Sequence, residues 1–351
     1  MRTLQTLAEV DEALAEAERL ASVSNDEFVR YLNGFRLALR FDDVGDPHGE
    51  AYRQAQMQLY SHVSRRDYAL EHEASVFDVE AMIERPFPYC TESAATVGAQ
   101  LMAIGHVIKL MALPPGASIL EMGPGWGNTT LALAQMGYRV TALDIERRFV
   151  DLVRERASRI GCAIELIEDQ FLAVETLERQ FDAILFFESF HHCHDHLRLL
   201  RALEPRLARG GKLVFAGEPI VADLSYPWGL NPQGEAIWQI RRNGWLELVF
   251  REDYFVGTLR CLGWDVSKYD FAYTAAGVGF VATRPDDDVV LSDLPRVFVA
   301  SAVTGGADEA ASLHPHALPP LPRHPWRAQL RRALPEPLRA VLRGVRRRLR
   351  P

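Results

Sequence analysis

Between Ser118 and Thr130 the chain reads Ser-Ile-Leu-Glu-Met-Gly-Pro-Gly-Trp-Gly-Asn-Thr-Thr, a run that few folds accommodate. Ser118 to Met122 is a short apolar stretch suited to a buried strand. Gly123, Gly125 and Gly127 then remove three side chains from a tight turn. Asn128 or Thr129 can cap the helix that follows, with Leu131, Leu133 and Ala134 on its inner side. Only glycine lets a backbone bend with positive φ and also approach a bound molecule closely. Strand, glycine turn and helix together suit a nucleotide-type ligand. The dinucleotide fingerprint G-x-G-x-x-G would need its third glycine where Asn128 stands, so it fails. The phosphate loop fails too, because no lysine follows the glycines. Glu121, two residues before the first glycine, sits badly beside a pyrophosphate and well beside an ammonium or a sulfonium.

A second apolar run, Tyr138 to Leu143, ends in Asp144, 21 residues after Gly123, where an acid can accept both hydroxyls of a ribose. The pattern Glu121-x-Gly123-x-Gly125-x-Gly127 with Asp144 resembles motif I of the class I S-adenosylmethionine-dependent methyltransferases. The resemblance covers about residues 90 to 284. It implies S-adenosyl-L-methionine as cofactor, with Glu121, Gly123, Gly125 and Gly127 at its methionine end and Asp144 on its ribose. It further implies Asp169 at the adenine amine, Ile145 and Phe171 around the adenine ring, and Glu188 in the pocket wall.

The rest of the central chain reads as alternating helix and strand. Helices are expected at Phe149–Ile160 and Leu197–Leu207, and strands at Ala163–Ile167, Phe181–Phe187 and Lys212–Ala216, with Gly210-Gly211 as a turn. Apolar strands alternating with helices mean a parallel sheet covered on both faces. Arg251–Leu262 reads as a helix, and Trp264–Tyr269 with Gly277–Thr283 as a closing antiparallel pair. The expected fold class is therefore α/β: a doubly wound, mostly parallel, seven-stranded Rossmann-like methyltransferase sheet. It carries an N-terminal helical region and a basic amphipathic C-terminal tail. Ligands of such sheets lie beyond the carboxyl ends of the strands. Those ends carry Glu121, Asp144, Asp169, Glu188 and Glu218, a row of acids that a fold alone does not require.

Residues 1–85 show helical spacing, first through Leu4, Leu7, Val10, Leu14 and Ala17, then through Phe28, Leu32, Phe35 and Leu39. A third helix runs from about Gly49 through Met57, Tyr60 and Val63, and a fourth spans Ala69 to Glu84. This region is read as core, with a lid or a homo-oligomer interface as the functional alternative. Arg85-Pro-Phe-Pro-Tyr89 interrupts the helices. A helix from Thr91, Glu92 or Ser93 to Leu110 precedes the central strand, and Tyr89 and Thr91 are candidates to cover the cofactor. The catalytic domain is expected over 86–284. Within it, residues 219–250 form an insertion whose Tyr226, Trp228, Trp238, Trp245 and Phe250 could stack on sugar rings. A linker is expected over 285–325 and the tail over 326–351.

Charge is divided unevenly. Residues 323–351 carry ten arginines against one acid, Glu336, a net +9, and the rest of the chain, 29 basic against 46 acidic residues, carries −17. An acidic body does not suit general nucleic-acid binding. The tail places Trp326, Leu330, Leu334, Leu338, Val341, Leu342, Val345 and Leu349 among the arginines. It is read either as an amphipathic helix adsorbed to an anionic membrane surface or as one docked on protein. Four scattered cysteines, with no C-x-x-C pair, suit a reducing cytoplasm. No apolar run of 18 residues and no signal-like start were found, so a cytoplasmic protein, peripheral at most at the inner membrane face, is expected.

Methyl transfer to a hydroxyl needs a base, and Glu188-Ser-Phe-His-His-Cys-His-Asp-His196 follows the fourth strand. Histidine titrates near neutrality, so His191 or His192 is the expected base, with Asp195 to orient it or to cap the next helix. The bland alternative is a polar pocket wall, with His194 and His196 as solvated histidines at a helix start. Glu188-x-x-His191-His192 is also close to the Glu-x-x-Glu-His pattern of some metal-dependent members of the superfamily. A divalent ion through Glu188, His192 and Glu218 is thereby an alternative. The expected activity is O-methylation of a sugar hydroxyl in a glycan or glycolipid. A quinone or natural-product small-molecule acceptor is the nearest rival, and a non-catalytic cofactor-binding scaffold the more distant one. If the tail adsorbs to membranes, removing residues 323–351 should lower co-sedimentation with anionic liposomes while leaving cofactor binding intact. Each basic residue near the surface contributes about 1 kcal/mol, and unchanged partitioning would retire the membrane assignment.

Overall fold

In the computed structural model, the described residues are 1–39, 45–85, 93–270, 278–285, 287 and 289–297. The expectations for Tyr89 and Thr91, for most of the linker and for the whole tail lie outside them. The described residues all fall within one compact unit. Within the stretch expected as a linker, Leu291 and Leu294 pack against the core and Arg296–Val297 forms a short strand.

The central sheet has strands β3 (Ser118–Met122), β4 (Arg139–Asp144), β5 (Glu165–Glu168), β6 (Phe181–Phe187), β7 (Leu207–Ala216), β11 (Asp265–Tyr269) and β12 (Gly279–Thr283). Their spatial order is β5-β4-β3-β6-β7-β12-β11, with β12 antiparallel to its neighbours and the first five strands parallel. An eighth, two-residue strand, β13 (Arg296–Val297), extends the edge beyond the seven expected. The order reverses at β3, so the crevice between the ends of β3 and β6 is the topological switch point.

Both faces are apolar, as the uninterrupted strand sequences predict. Leu120, Met122, Ile184, Phe186, Leu213 and Phe215 face one core, and Ile119, Ala183, Leu185, Val214 and Ala216 the other. The second core is closed by α5 (Ala94–Met111), begun by Ser93, whose hydroxyl caps the Thr96 N–H. Among the described residues α5 alone is long and apolar enough to cross a membrane. Its Ile104, Val107, Leu110 and Met111 are instead buried against the sheet. Gly210-Gly211 makes no turn; it lies inside β7, where the register with β6 slips between Phe181 and Ala183 as at a β-bulge.

The N-terminal region departs most from expectation. Helices α1 (Leu7–Ala21), α2 (Asn25–Leu32) and α3 (Glu50–Ser64) are present, the first with a full capping box between Thr6 and Glu9. However, α2 stops at Leu32, and Phe35 sits in β2 (Phe35–Leu37), paired in parallel with β1 (Arg2–Leu4). Leu4, read as helical, is likewise in a strand. The fourth helix is replaced by a 3₁₀ turn, Leu70–Glu73, an extended stretch, and the short α4 (Val79–Ile83) capped by Asp78. The insertion contributes β8 (Ile220–Val221), β9 (Trp228–Leu230), α9 (Gly234–Arg242) and β10 (Leu248–Arg251).

The N-terminal region and the insertion share one core with the sheet: Leu4, Val10, Tyr52, Tyr60, Trp228, Leu230, Phe250 and Phe186 belong to a single cluster. Tyr52 donates to the Trp228 carbonyl at 2.9 Å, and Trp228 Nε1 donates to the Pro47 carbonyl at 2.8 Å. Buried aromatics of this size contribute about 3–5 kcal/mol each, so the region is fixed rather than a loose flap. A Cβ on Gly234, at the start of α9, would lie 2.2 Å from the Leu32 carbonyl oxygen and 2.8 Å from the Phe35 ring. Gly234→Ala should therefore cost about 1–3 kcal/mol in urea denaturation. A neutral result would mean that α2 and α9 do not meet so closely.

Candidate active site

The cofactor side begins with the glycine turn, where each glycine answers a different demand. A Cβ on Gly123 would lie 2.8 Å from Ser189 Cβ and 3.5 Å from Phe171 Cζ, and one on Gly127 2.5 Å from Val153 Cγ2. Gly125 meets nothing within 4 Å of such a Cβ, and its φ of 49° is left-handed. Its side is thus open to a ligand. Neither Asn128 nor Thr129 is the cap of α6 (Asn128–Gln135): the N-cap is Gly127, with no side-chain bond.

Asp144 organises this turn. Its Oδ2 accepts the Gly125 N–H at 3.0 Å and its Oδ1 the Glu146 N–H at 2.9 Å. Burial raises its pKa to about 6 despite these bonds. Glu121 is buried within β3, and desolvation pushes it up to about 7. Its Oε2 has no hydrogen-bond partner among the described residues. An open glycine turn flanked by two desolvated carboxylates fits a ligand bearing sulfonium, ammonium and ribose. Asp169 is exposed just beyond β5, and its N–H donates to the Asp144 carbonyl at 3.0 Å. Ile145 and Phe171 are both partly buried at the same edge.

Beyond Gly127, Trp126 meets Phe77 with ring centroids 4.7 Å apart and Phe149 at 5.2 Å. Arg148, at the start of α7 (Arg147–Arg159), donates to the Ser75 carbonyl at 2.7 Å. The stretch between the 3₁₀ turn and α4 thereby runs against the cofactor loop.

The acceptor side centres on Glu218, just past β7. Its Oε1 accepts the N–H groups of Ser189 at 2.8 Å and Phe190 at 2.9 Å. Its Oε2 takes the N–H of His191 at 3.2 Å and His191 Nδ1 at 2.8 Å. Ser189 Oγ in turn donates to the Met122 carbonyl at 2.6 Å, tying β6 to β3. Glu188 begins this turn at φ 55°, an unusual conformation for a residue with a side chain. Burial raises its pKa to about 7.

His191 Nε2 lies 3.4 Å from Glu247 Oε2 in the insertion. Burial opposes its charge, but the bonds to Glu218 and Glu247 outweigh that and raise it to about 10. Set between two carboxylates, its ring favours the charged form and does not suit the role of base. His192 Nδ1 lies 3.2 Å from Glu73 Oε2, and its ring is 4.3 Å from that of His191. Burial and the neighbouring His191 hold His192 down, yet Glu73 and Glu247 raise it on balance.

Several expectations change here. Asp195 is the N-cap of α8 (His196–Leu203) without a side-chain capping bond, and the two histidines take their carboxylates from Glu218, Glu247 and Glu73 instead. His196 is not solvated: it is buried among Phe190, Trp228 and Phe250, bonds Tyr254 at 2.9 Å, and burial pushes it down to about 3. His194 Nδ1 lies 2.9 Å from Arg53. The metal reading drew on Glu218, whose oxygens are both engaged. The donors that do converge, on His191, His192 and Glu247, lie within 4.8 Å of one another, and an ion there would have to displace the His191 proton. The aromatic platform is also corrected. Tyr226, Trp228 and Phe250 are buried in the core and Trp238 packs on Phe28. Only Trp245 reaches the site, 6.2 Å from His192. Glu73 and Glu247 went unnoticed because nothing local marks them; each meets its histidine only through the tertiary fold.

Residues 119–211 match the family described as a methyltransferase domain. The chain is 28% identical over 168 residues to a protein-L-isoaspartate O-methyltransferase of Methylorubrum populi, covering 48% of this chain and 69% of that protein. It is 33% identical over 117 residues to a ubiquinone biosynthesis O-methyltransferase of Xanthomonas campestris, covering 32% of this chain and 47% of that protein. The chain thus spans about half the length of the ubiquinone relatives it matches. Among solved structures, coclaurine N-methyltransferase has a TM-score of 0.48 at 18% identity, covering 75% of this chain and 77% of that one. The N-methyltransferase NodS from Bradyrhizobium japonicum, in complex with S-adenosyl-L-homocysteine, has 0.39 at 16%, covering 58% and 94%. The family match thus places a methyltransferase domain over residues 119–211. Asp144→Ala, which removes the anchor of the glycine turn, should weaken binding of S-adenosylhomocysteine by tenfold or more in calorimetry. Unchanged affinity would refute the assignment of Asp144 to the ribose edge.

Proposed function

We propose that this chain is an O-methyltransferase acting on a small hydroxylated acceptor, with His192 as the base. The observation that carries this reading is the place of His192, just beyond the carboxyl end of β6, with its Nδ1 3.2 Å from Glu73 Oε2. When bound, the cofactor supplies an electrophilic methyl group on a sulfonium. Glu121 and Asp144 would hold its cationic and ribose ends, and the Gly123–Gly127 turn lets the backbone approach it. His192 would take the hydroxyl proton of the acceptor as its oxygen accepts that methyl group. Much of the rate comes from alignment, which the bonds holding residues 188–192 secure.

The similarity to ubiquinone O-methyltransferases supports a small hydroxylated acceptor. A glycan or glycolipid acceptor remains the finer alternative, but burial of the insertion aromatics removes the stacking surface that favoured it. Assay against phenolic and saccharide acceptors separates the two.

A base works deprotonated, so turnover should rise with pH through a value above the ordinary histidine pKa near 6.5, in the direction that Glu73 and Glu247 shift His192. His192→Ala should lower kcat by about 10²–10⁴-fold and flatten this rise while sparing cofactor affinity. An unaltered rate and profile would remove His192 from the mechanism.

A further inference from the structure

We propose that Glu73 is a positioning residue, through which the N-terminal region sets the orientation and tautomer of His192. This rests on the reading of His192 as base, and goes beyond it by adding a second chain segment to the catalytic machinery. Glu73 ends the 3₁₀ turn Leu70–Glu73, remote in sequence from the domain that binds the cofactor. Its side chain is only 10% exposed. Its two oxygens point to different parts of the molecule: Oε1 accepts the Leu246 N–H of the insertion at 2.9 Å, and Oε2 lies 3.2 Å from His192 Nδ1. One buried carboxylate therefore joins the N-terminal region, the insertion and the loop after β6.

The chemistry of a basic imidazole explains the arrangement. Only one ring nitrogen of the neutral form keeps a lone pair, and a carboxylate against the other selects which. Glu73 Oε2 faces Nδ1 at ion-pair distance without a formed hydrogen bond, and its negative charge favours the proton on Nδ1, which leaves Nε2 to take one from the acceptor. Burial of Glu73 keeps water from competing for Nδ1, and the bond from Leu246 fixes the carboxylate itself. Trp245, adjacent in sequence to that donor, lies with its ring nearly perpendicular to that of His192, centroids 6.2 Å apart. The groups that face His192 are Glu73 from the 3₁₀ turn, His191 from its own loop, Glu247 from the insertion and Asp144 from β4. Glu218 and Glu247 are taken up by His191, which leaves Glu73 as the carboxylate within ion-pair distance of His192 among the described residues.

The test uses the full chain with Glu73→Gln, Glu73→Ala and Glu73→Asp. Glu73→Gln and Glu73→Ala should lower kcat by tenfold or more, with the cofactor KM unchanged within twofold. Glu73→Asp, or formate added to Glu73→Ala, should restore part of the loss. In ¹⁵N spectra of histidine-labelled protein, the neutral His192 signal should change from the Nδ1–H form towards a mixture of tautomers in Glu73→Ala. Circular dichroism and melting show whether each variant folds. A folded Glu73→Gln with wild-type kcat, or an unchanged tautomer, overturns the proposal. If His192→Ala is itself fully active, the base reading fails instead, and the two failures are thereby told apart.

Discussion

One buried carboxylate, Glu218, holds the acceptor half of the site together. Its oxygens accept three consecutive backbone N–H groups and an imidazole N–H. Burying a carboxylate is costly unless its oxygens are hydrogen-bonded, and four donors, the His191 ring among them, fill those of Glu218. The consequence spreads outward. Glu218 fixes the turn of residues 189–191, the turn fixes His191, and His191 carries a positive charge to Glu247 in the insertion. Removing one member of such a set leaves the others buried without compensation, at about 3–5 kcal/mol. The strained Glu188, at φ 55°, is held in place by the same turn.

The two halves of the pocket solve the problem of buried charge differently. On the acceptor side protein cations answer the carboxylates. On the cofactor side Asp144 has only backbone N–H groups, and Glu121 is raised to about 7 and Asp144 to about 6 chiefly by desolvation. Burial shifts both towards neutrality, where a nearby cation tips the balance. A sulfonium or ammonium placed beside them favours the ionised forms, so ligand uptake and proton release are thermodynamically linked there.

The sheet was legible in the sequence for a simple reason. Its strands are buried on both faces, so Phe181–Phe187 and Ser118–Met122 stand out as apolar runs, and the acids after them mark the ligand edge. Asp144 and the glycines could be found for the same reason, since their spacing is local. What failed was local pattern asked to report on distant contacts. Phe35 sits at helical spacing from Leu32, yet it pairs in a strand because β1 lies beside it. The aromatics of the insertion look like a recognition surface in sequence, but Trp228 and Phe250 fill the space between the sheet and α3. The histidines were visible and their partners were not, because Glu73 and Glu247 approach them only after folding.

The shared core has an evolutionary corollary. Gly229 leaves room for Gln56, whose Oε1 would lie 2.4 Å from a Cβ there, and Gly234 leaves room for the Leu32 carbonyl. Neither the first eighty residues nor the insertion can drift in sequence independently of the other. Homologues that exchange one should exchange both, and substitutions at Gln56 and Gly229 should covary. Acceptor preference would then be inherited as a pair of segments, with the glycine turn passing unchanged beneath them.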